Sequence, residues 1–104
     1  MFIHNVTTLV ELSVESQWMC WMNDEHLPKI MKTGKFIKVI LFKVIAEEDM
    51  GGTSYAAQYH CNSRDDFERF LAEDAPMLRN LAVEKFGERI LSFNTELEQI
   101  TALQ

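Results

Sequence analysis

Cysteine is scarce: Cys20 and Cys61 are the only two in 104 residues, far apart and without metal-ligand spacing. A short secreted chain stapled by disulfides carries more, so both are expected to be reduced thiols. Glycine and proline are also few, at four and two, which excludes collagen-like and low-complexity chains. No hydrophobic run approaches a membrane span. The strongest, Val39-Ile40-Leu41-Phe42, stops at Lys43, whereas a spanning helix needs about 20 apolar residues. The opening residues lack the basic start and apolar stretch of a secretory leader, since no Lys or Arg precedes Lys29. The expectation is a cytoplasmic protein with no membrane partner. Positive charge is short too. Ten Lys+Arg face 16 Asp+Glu, a formal charge of −6, which opposes whole-surface attraction to nucleic acid or anionic lipid.

Hydrophobic residues, by contrast, make up 47% of the chain and charged residues 25%, the balance of a globular domain. The length fits a single domain, residues 1–104. A chain this size buries roughly two thirds of its unfolded surface, so a partner chain would add useful burial.

Residue patterning orders the elements. Phe2 to Val10 alternates as a strand, with Phe2, His4, Val6, Thr8 and Val10 on one side and Ile3, Asn5, Thr7 and Leu9 on the other. Ser13 is the expected N-cap of a helix that carries Trp18, Met19, Trp21 and Met22. Pro28 would clash with the Asp24 carbonyl, which predicts a kink or restart near His26-Leu27-Pro28. Gly34 stops the segment. A strand follows over Phe36 to Ile45, then an acidic turn ending in Gly51-Gly52, then a strand over Tyr55 to Cys61. Ser63 caps a second helix, which restarts at Ala75-Pro76 and ends at Gly87. Arg89 to Ile100 is the last strand. The order β-α-β-β-α-β is the ferredoxin-like α+β arrangement, an antiparallel sheet of order 4-1-3-2 with its helices on one face.

Helices cover one sheet face only. The registers of Phe2, His4, Val6 and of Tyr55, Ala57, Tyr59 are expected beneath them. The other face is assigned Asn5, Thr7, Gln58, His60, Ser92, Asn94 and Glu96, mixed with Ile3, Leu9 and Ala56. A solvated antiparallel face is one reading. The other is a homodimer packed through Asn5, Thr7, Gln58, His60 and Asn94.

Candidate chemistry is thin. His26 falls on the stripe of Trp18, Met22 and Ile30, either facing a cleft as a base or ligand contact, or bonding a carbonyl freed by Pro28. Tyr55 and Tyr59 share a strand face with His4 beside them. They are either a pocket lining of few polar groups or core aromatics with hydroxyls reaching the surface. No nucleophile–base motif, phosphate loop or His-based metal spacing is present, so no cofactor and no metal are expected. Acidic clusters sit at caps and turns. The five lysines between Lys29 and Lys43 read as solubility and edge protection rather than an anion site.

Several stretches together carry a family likeness. They are Asn5-Val6-Thr7, Trp18-Met19-Cys20-Trp21-Met22 with His26-Leu27-Pro28, Thr33-Gly34-Lys35-Phe36, Thr53-Ser54-Tyr55-Ala56-Ala57-Gln58-Tyr59, Ala75-Pro76, Phe86-Gly87 and Phe93-Asn94-Thr95-Glu96-Leu97. Over nearly its whole length the chain resembles domain-of-unknown-function family 4286, short bacterial proteins common in the Bacteroidetes. At the first strand, where members tend to carry Tyr, this chain has His4. The resemblance implies a ferredoxin-like fold of the dimeric α/β-barrel type and no assigned activity. Three expectations follow. The first is a homodimer that binds a small apolar or aromatic molecule through His4, His26, Tyr55 and Tyr59. The second is a monooxygenase- or isomerase-like enzyme using His26 with Tyr55 and Tyr59. The third is a protein–protein interaction module. Either of the first two requires a cavity of some hundreds of cubic ångströms between helices and sheet.

Overall fold

A computed structural model describes residues 1–46 and 51–104. Four strands, β1 (Phe2–Glu11), β2 (Lys38–Lys43), β3 (Gly52–Cys61) and β4 (Ile90–Glu98), form one sheet in the order β2-β3-β1-β4. Every pairing is antiparallel. This is the expected order, read from the other edge. The expected turn over 47–50 lies outside the described residues. β2 is shorter than Phe36 to Ile45, and β3 begins three residues before Tyr55.

The first crossover holds a short 3-10 turn (Leu12–Val14), helix α1 (Glu15–Trp21), a π-helical turn (Met22–His26) and helix α2 (Leu27–Met31). The second holds α3 (Arg64–Glu73) and α4 (Ala75–Phe86). Ser13 does not cap α1. It lies within the 3-10 turn and donates to Glu11 Oε2 at 3.3 Å, and α1 starts after Val14 with no side-chain cap. Ser63 does cap α3, its hydroxyl accepting from the Asp66 amide. Pro76 sits in the first turn of α4, and Gly87 ends that helix at φ 56°.

Pro28 explains the π turn. It offers no amide hydrogen, and its ring would strike the carbonyl four residues back. Widening the preceding turn by one residue relieves both problems, and the Leu27 amide reaches Met22 O across that wider turn. α2 then starts at Leu27 with the proline in its first turn.

Two glycines of the β2–β3 connection have separate reasons. Gly51 takes φ 86°, open to glycine at no steric cost. Gly52 ends the β1–β3 ladder opposite Glu11, and a Cβ there would lie 2.2 Å from Val10 O.

Cross-strand pairing fixes which residues share a face. Beneath the helices run the rows Val39–Tyr59–His4–Glu96, Leu41–Ala57–Val6–Asn94 and Lys43–Tyr55–Thr8–Ser92. On the open face run Lys38–His60–Ile3–Leu97, Ile40–Gln58–Asn5–Thr95 and Phe42–Ala56–Thr7–Phe93. The expected faces of β1 and β3 hold, and that of β4 is reversed. Val6 lies opposite Asn94, so Ser92, Asn94 and Glu96 belong to the helix side. Leu91, Phe93 and Leu97 face outward instead. The expectation had assigned the apolar register of β4 to the core, as a water-facing sheet edge would require. The pairing with β1 overrides it.

The core divides in two. One cluster gathers Phe2, Phe36, Tyr59, Phe67, Phe70 and Leu78; the other gathers Val10, Val14, Trp18, Trp21, Met22, Tyr55 and Phe86. Lys35 is buried beside the first cluster and pairs with Glu73 and Asp74 at the α3–α4 junction. Its hydrogen bond to Asp74, then that to Glu73, holds its pKa above the ordinary lysine value. The expected surface role of the lysine run therefore fails at Lys35, which ties the two crossovers together.

Candidate functional site

A cavity of about 150 Å³ lies between the two clusters, under the helices and above the sheet. Its origin is local. The small side chains of Val6 and Ala57 form its floor, flanked by the larger His4–Tyr59 and Thr8–Tyr55 pairs. Trp18, Trp21, Met22, His26 and Ile30 close one side, and Phe70, Leu78 and Ala82 the other. Of its lining residues, Leu71, Arg79, Ser92 and Asn94 are exposed, which places the mouth between α3–α4 and β4.

All four residues chosen as ligand contacts, His4, His26, Tyr55 and Tyr59, line this one cavity. His4 is only 6% exposed, and Phe36, Tyr59, Phe67 and Phe70 surround it with ring centroids 5.0–6.4 Å away. Its Nδ1 is enclosed and has no hydrogen-bond partner among the described residues, a situation worth about 1–3 kcal/mol of lost stability. Burial lowers its pKa to about 4, so the imidazole is neutral near pH 7. Tyr59 is buried beside it, and that burial drives its phenol well above the usual range.

Tyr55 packs against Trp18 in a tilted pair, ring centroids 5.1 Å apart. Its pKa is raised by burial first, then by the negative charge of Glu15 and a hydrogen bond to it. Glu15 also accepts from Thr53 Oγ1 at 2.7 Å. Tyr55 is thereby anchored to α1, whereas His4 stands among hydrocarbon rings.

Among the described residues His26 makes no hydrogen bond to a carbonyl. Its ring stacks on Trp21 at 4.4 Å and 23°. Residues five apart would diverge around an ordinary α-helix of 3.6 residues per turn, and the π turn brings these two together. Burial, then the charge of Lys29, lowers the His26 pKa to about 4. On its outer side the His26–Trp21 pair also borders a polar groove of about 360 Å³ with Glu25, Lys29, Leu81, Glu84 and Lys85. The pair thus separates an apolar cavity from a charged groove.

The dimer candidates separate. Asn5, Thr7, Gln58 and His60 lie on the open face, while Asn94 lies at the cavity mouth. Asn5 Nδ2 donates to Thr7 Oγ1 at 3.2 Å. His60 Nε2 is enclosed and has no hydrogen-bond partner among the described residues. Around these polar groups stand exposed Ile40, Phe42, Leu91 (68%), Phe93 (61%) and Leu97.

Sequence reasoning missed the Thr8–Ser92 hydroxyl pair at 2.8 Å, the mouth position of Asn94, and Arg79. One signal for Arg79 was available. Ala75, Leu78 and Ala82 form the inner stripe of α4, and Arg79 is the charged member at the same spacing. The cavity is also smaller than the several hundred cubic ångströms expected.

A family model for the Domain of unknown function (DUF4286) matches residues 1–100. The chain belongs to this family. No curated protein matches it. Among solved structures, the chain is similar to a dimeric ferredoxin-like protein from an uncultured marine organism, with 14% identity, 98% and 97% of the two chains covered and a TM-score of 0.67. It is similar to SnoaB, a cofactor-independent oxygenase from Streptomyces nogalater, with 16% identity, 98% and 96% coverage and a TM-score of 0.68. An ethyl tert-butyl ether d (ethd) family protein from Bacillus halodurans aligns at 10% identity, 96% and 100% coverage and a TM-score of 0.67. At these identities the likeness shows the fold alone. The chain is ferredoxin-like, and no helix among the described residues is long and apolar enough to cross a membrane.

Proposed function

We propose that this DUF4286 member is a homodimer that binds a small, largely apolar ring compound in the cavity of each protomer. The convergence of His4, His26, Tyr55 and Tyr59 on one 150 Å³ space carries the reading. A cavity of about that size, engineered in another protein, takes up benzene, so a single ring fits and a fused polycycle does not. A neutral imidazole offers one donor and one acceptor, matching a ring compound with one polar substituent. The dimer part is supported by the exposed Phe42, Leu91, Phe93 and Leu97 on the uncovered face and by the dimeric ferredoxin-like neighbour. Large apolar patches on a surface mark interaction sites.

An enzymatic reading keeps one favourable observation: His26 does border the cavity beside two tyrosines. Binding is preferred because a general base works best with a pKa near the working pH, and both cavity histidines sit near 4. The test is a titration with benzyl alcohol followed by the fluorescence of Trp18 and Trp21, which line the cavity. A saturable change is expected, and it disappears in Ala57→Phe, which fills the floor. A signal that stays flat to saturation of the aqueous phase refutes the reading. A signal that persists in a folded Ala57→Phe variant assigns binding elsewhere and refutes it equally.

A further inference from the structure

We propose that the natural ligand is a single-ring aromatic monocarboxylate, its ring in the cavity and its carboxylate at the mouth on Arg79; the proposal rests on the binding reading above. The charge of the lining is the first ground. The chain carries 16 acidic and 10 basic side chains, yet among the described residues no Asp or Glu lines this cavity, and Arg79 is the lone charged side chain there. In so acidic a protein an unopposed cation at a cavity mouth is conspicuous, because the neighbouring surface supplies carboxylates in excess.

The second ground is that Arg79 is unspent. Arg64 pairs with Glu96 and stands over the Phe2 ring, and Arg69 pairs with Asp66. Among the described residues Arg79 makes no ion pair. A guanidinium presents a planar fork of donors that matches a carboxylate with two parallel bonds.

The third ground is the rim opposite. Ser92 and Asn94, on the helix-facing register of β4, share the mouth with Arg79. Ser92 is already engaged with Thr8 Oγ1. The Asn94 side-chain amide makes no hydrogen bond among the described residues and adds NH donors to the same rim. One full positive charge and one neutral donor group suit one carboxylate. A phosphate ester, with close to two negative charges, would call for a second cation that the lining does not hold. Deeper in, the rings of Trp18, Tyr55, Tyr59 and Phe70 surround space for a single aromatic ring.

The proposal is tested by comparing benzoate with benzyl alcohol, at pH 7.5 and low salt, on the full chain. Both fill the same volume and differ mainly in charge. Benzoate is expected to bind at least about tenfold more tightly, a difference of about 1.4 kcal/mol. Arg79→Gln should erase that preference while leaving benzyl alcohol affinity within about twofold. Raising the salt should weaken benzoate alone. Arg79 is exposed, so the variant is expected to fold, and circular dichroism checks this. Equal affinities for the two probes overturn the carboxylate assignment but leave the binding reading standing. An Arg79→Gln variant that keeps the preference overturns the role of Arg79. Failure of both probes to bind overturns the binding reading itself.

Discussion

The helix-covered face of the sheet carries His4, Thr8, Tyr55, Tyr59, Ser92 and Asn94, whereas the open face carries Ile40, Phe42, Leu91, Phe93 and Leu97. A monomeric antiparallel sheet with one solvated side ordinarily shows the opposite partition. Each face therefore departs from the rule in its own direction, and each departure has a use. Polar groups that a dry core would exclude surround a cavity and leave an imidazole unpartnered. Apolar groups that water would exclude are the ones the proposed dimer would bury. The β4 strand makes the contrast sharpest, since adjacent residues Phe93 and Asn94 point to opposite faces.

The largest test of this contrast is to charge the open face. Phe42→Asp with Phe93→Asp should raise the dimer dissociation constant about a thousandfold, taking each position, its two symmetry-related copies together, as a hot spot of about 2 kcal/mol. Light scattering after size exclusion measures the mass, and benzyl alcohol binding should persist in the monomer. A wild-type chain that is already monomeric at high concentration would break the comparison on this side.

Acid tests the covered face. The folded pKa of His4 lies at about 4, below the ordinary 6.5, so the unfolded chain binds the extra proton as pH falls. Stability is complete above pH 6.5 and declines as the pH drops toward 4, by roughly 3 kcal/mol for this group. Urea unfolding at several pH values should show the slope, and His4→Phe should flatten it. The His26 shift acts in the same direction.

The assignment of faces itself depends on register, because a slip of one residue exchanges them. Gly52 guards that register at the end of the ladder. Gly52→Ala should cost about 2 kcal/mol through contact with the Val10 carbonyl, read as a lower midpoint in thermal unfolding. Smallest is Thr8→Val, which removes the hydroxyl pair with Ser92 and should cost about 1 kcal/mol or less. An unchanged midpoint would show that this polar pair serves the cavity alone.

The sequence was legible where periodicity and terminators agree. Ser63, Pro76 and Gly87 marked the second crossover, and the alternation of β1 and β3 placed His4, Tyr55 and Tyr59 on one face. Pro28 announced an irregularity, though not its form. A kink and a π turn satisfy the same missing amide, and the stack of Trp21 on His26 is a product of the second. β4 was misread because alternation tells which residues share a side, not which side is covered. The neighbour decides that, and here Val6 of β1 sets Asn94 inward. Arg79 escaped notice because one arginine on an otherwise ordinary helix has no local pattern to mark it.

The strand order bears on how the chain is made. Of the four strands β1 is made first, yet its neighbours in the finished sheet are β3 and β4, with Phe2 lying beside both Cys61 and Glu98. Until β3 and β4 emerge, β1 therefore has both hydrogen-bonding edges bare, and Val6 lacks the Ala57 with which it forms the cavity floor. Sheets built from such distant pairings form slowly, and exposed strand edges are where nascent chains aggregate. Along β1 the residues Asn5, Thr7 and Thr8 interrupt the apolar ones, so the groups that later serve a cavity wall and a sheet face also keep the waiting strand compatible with water.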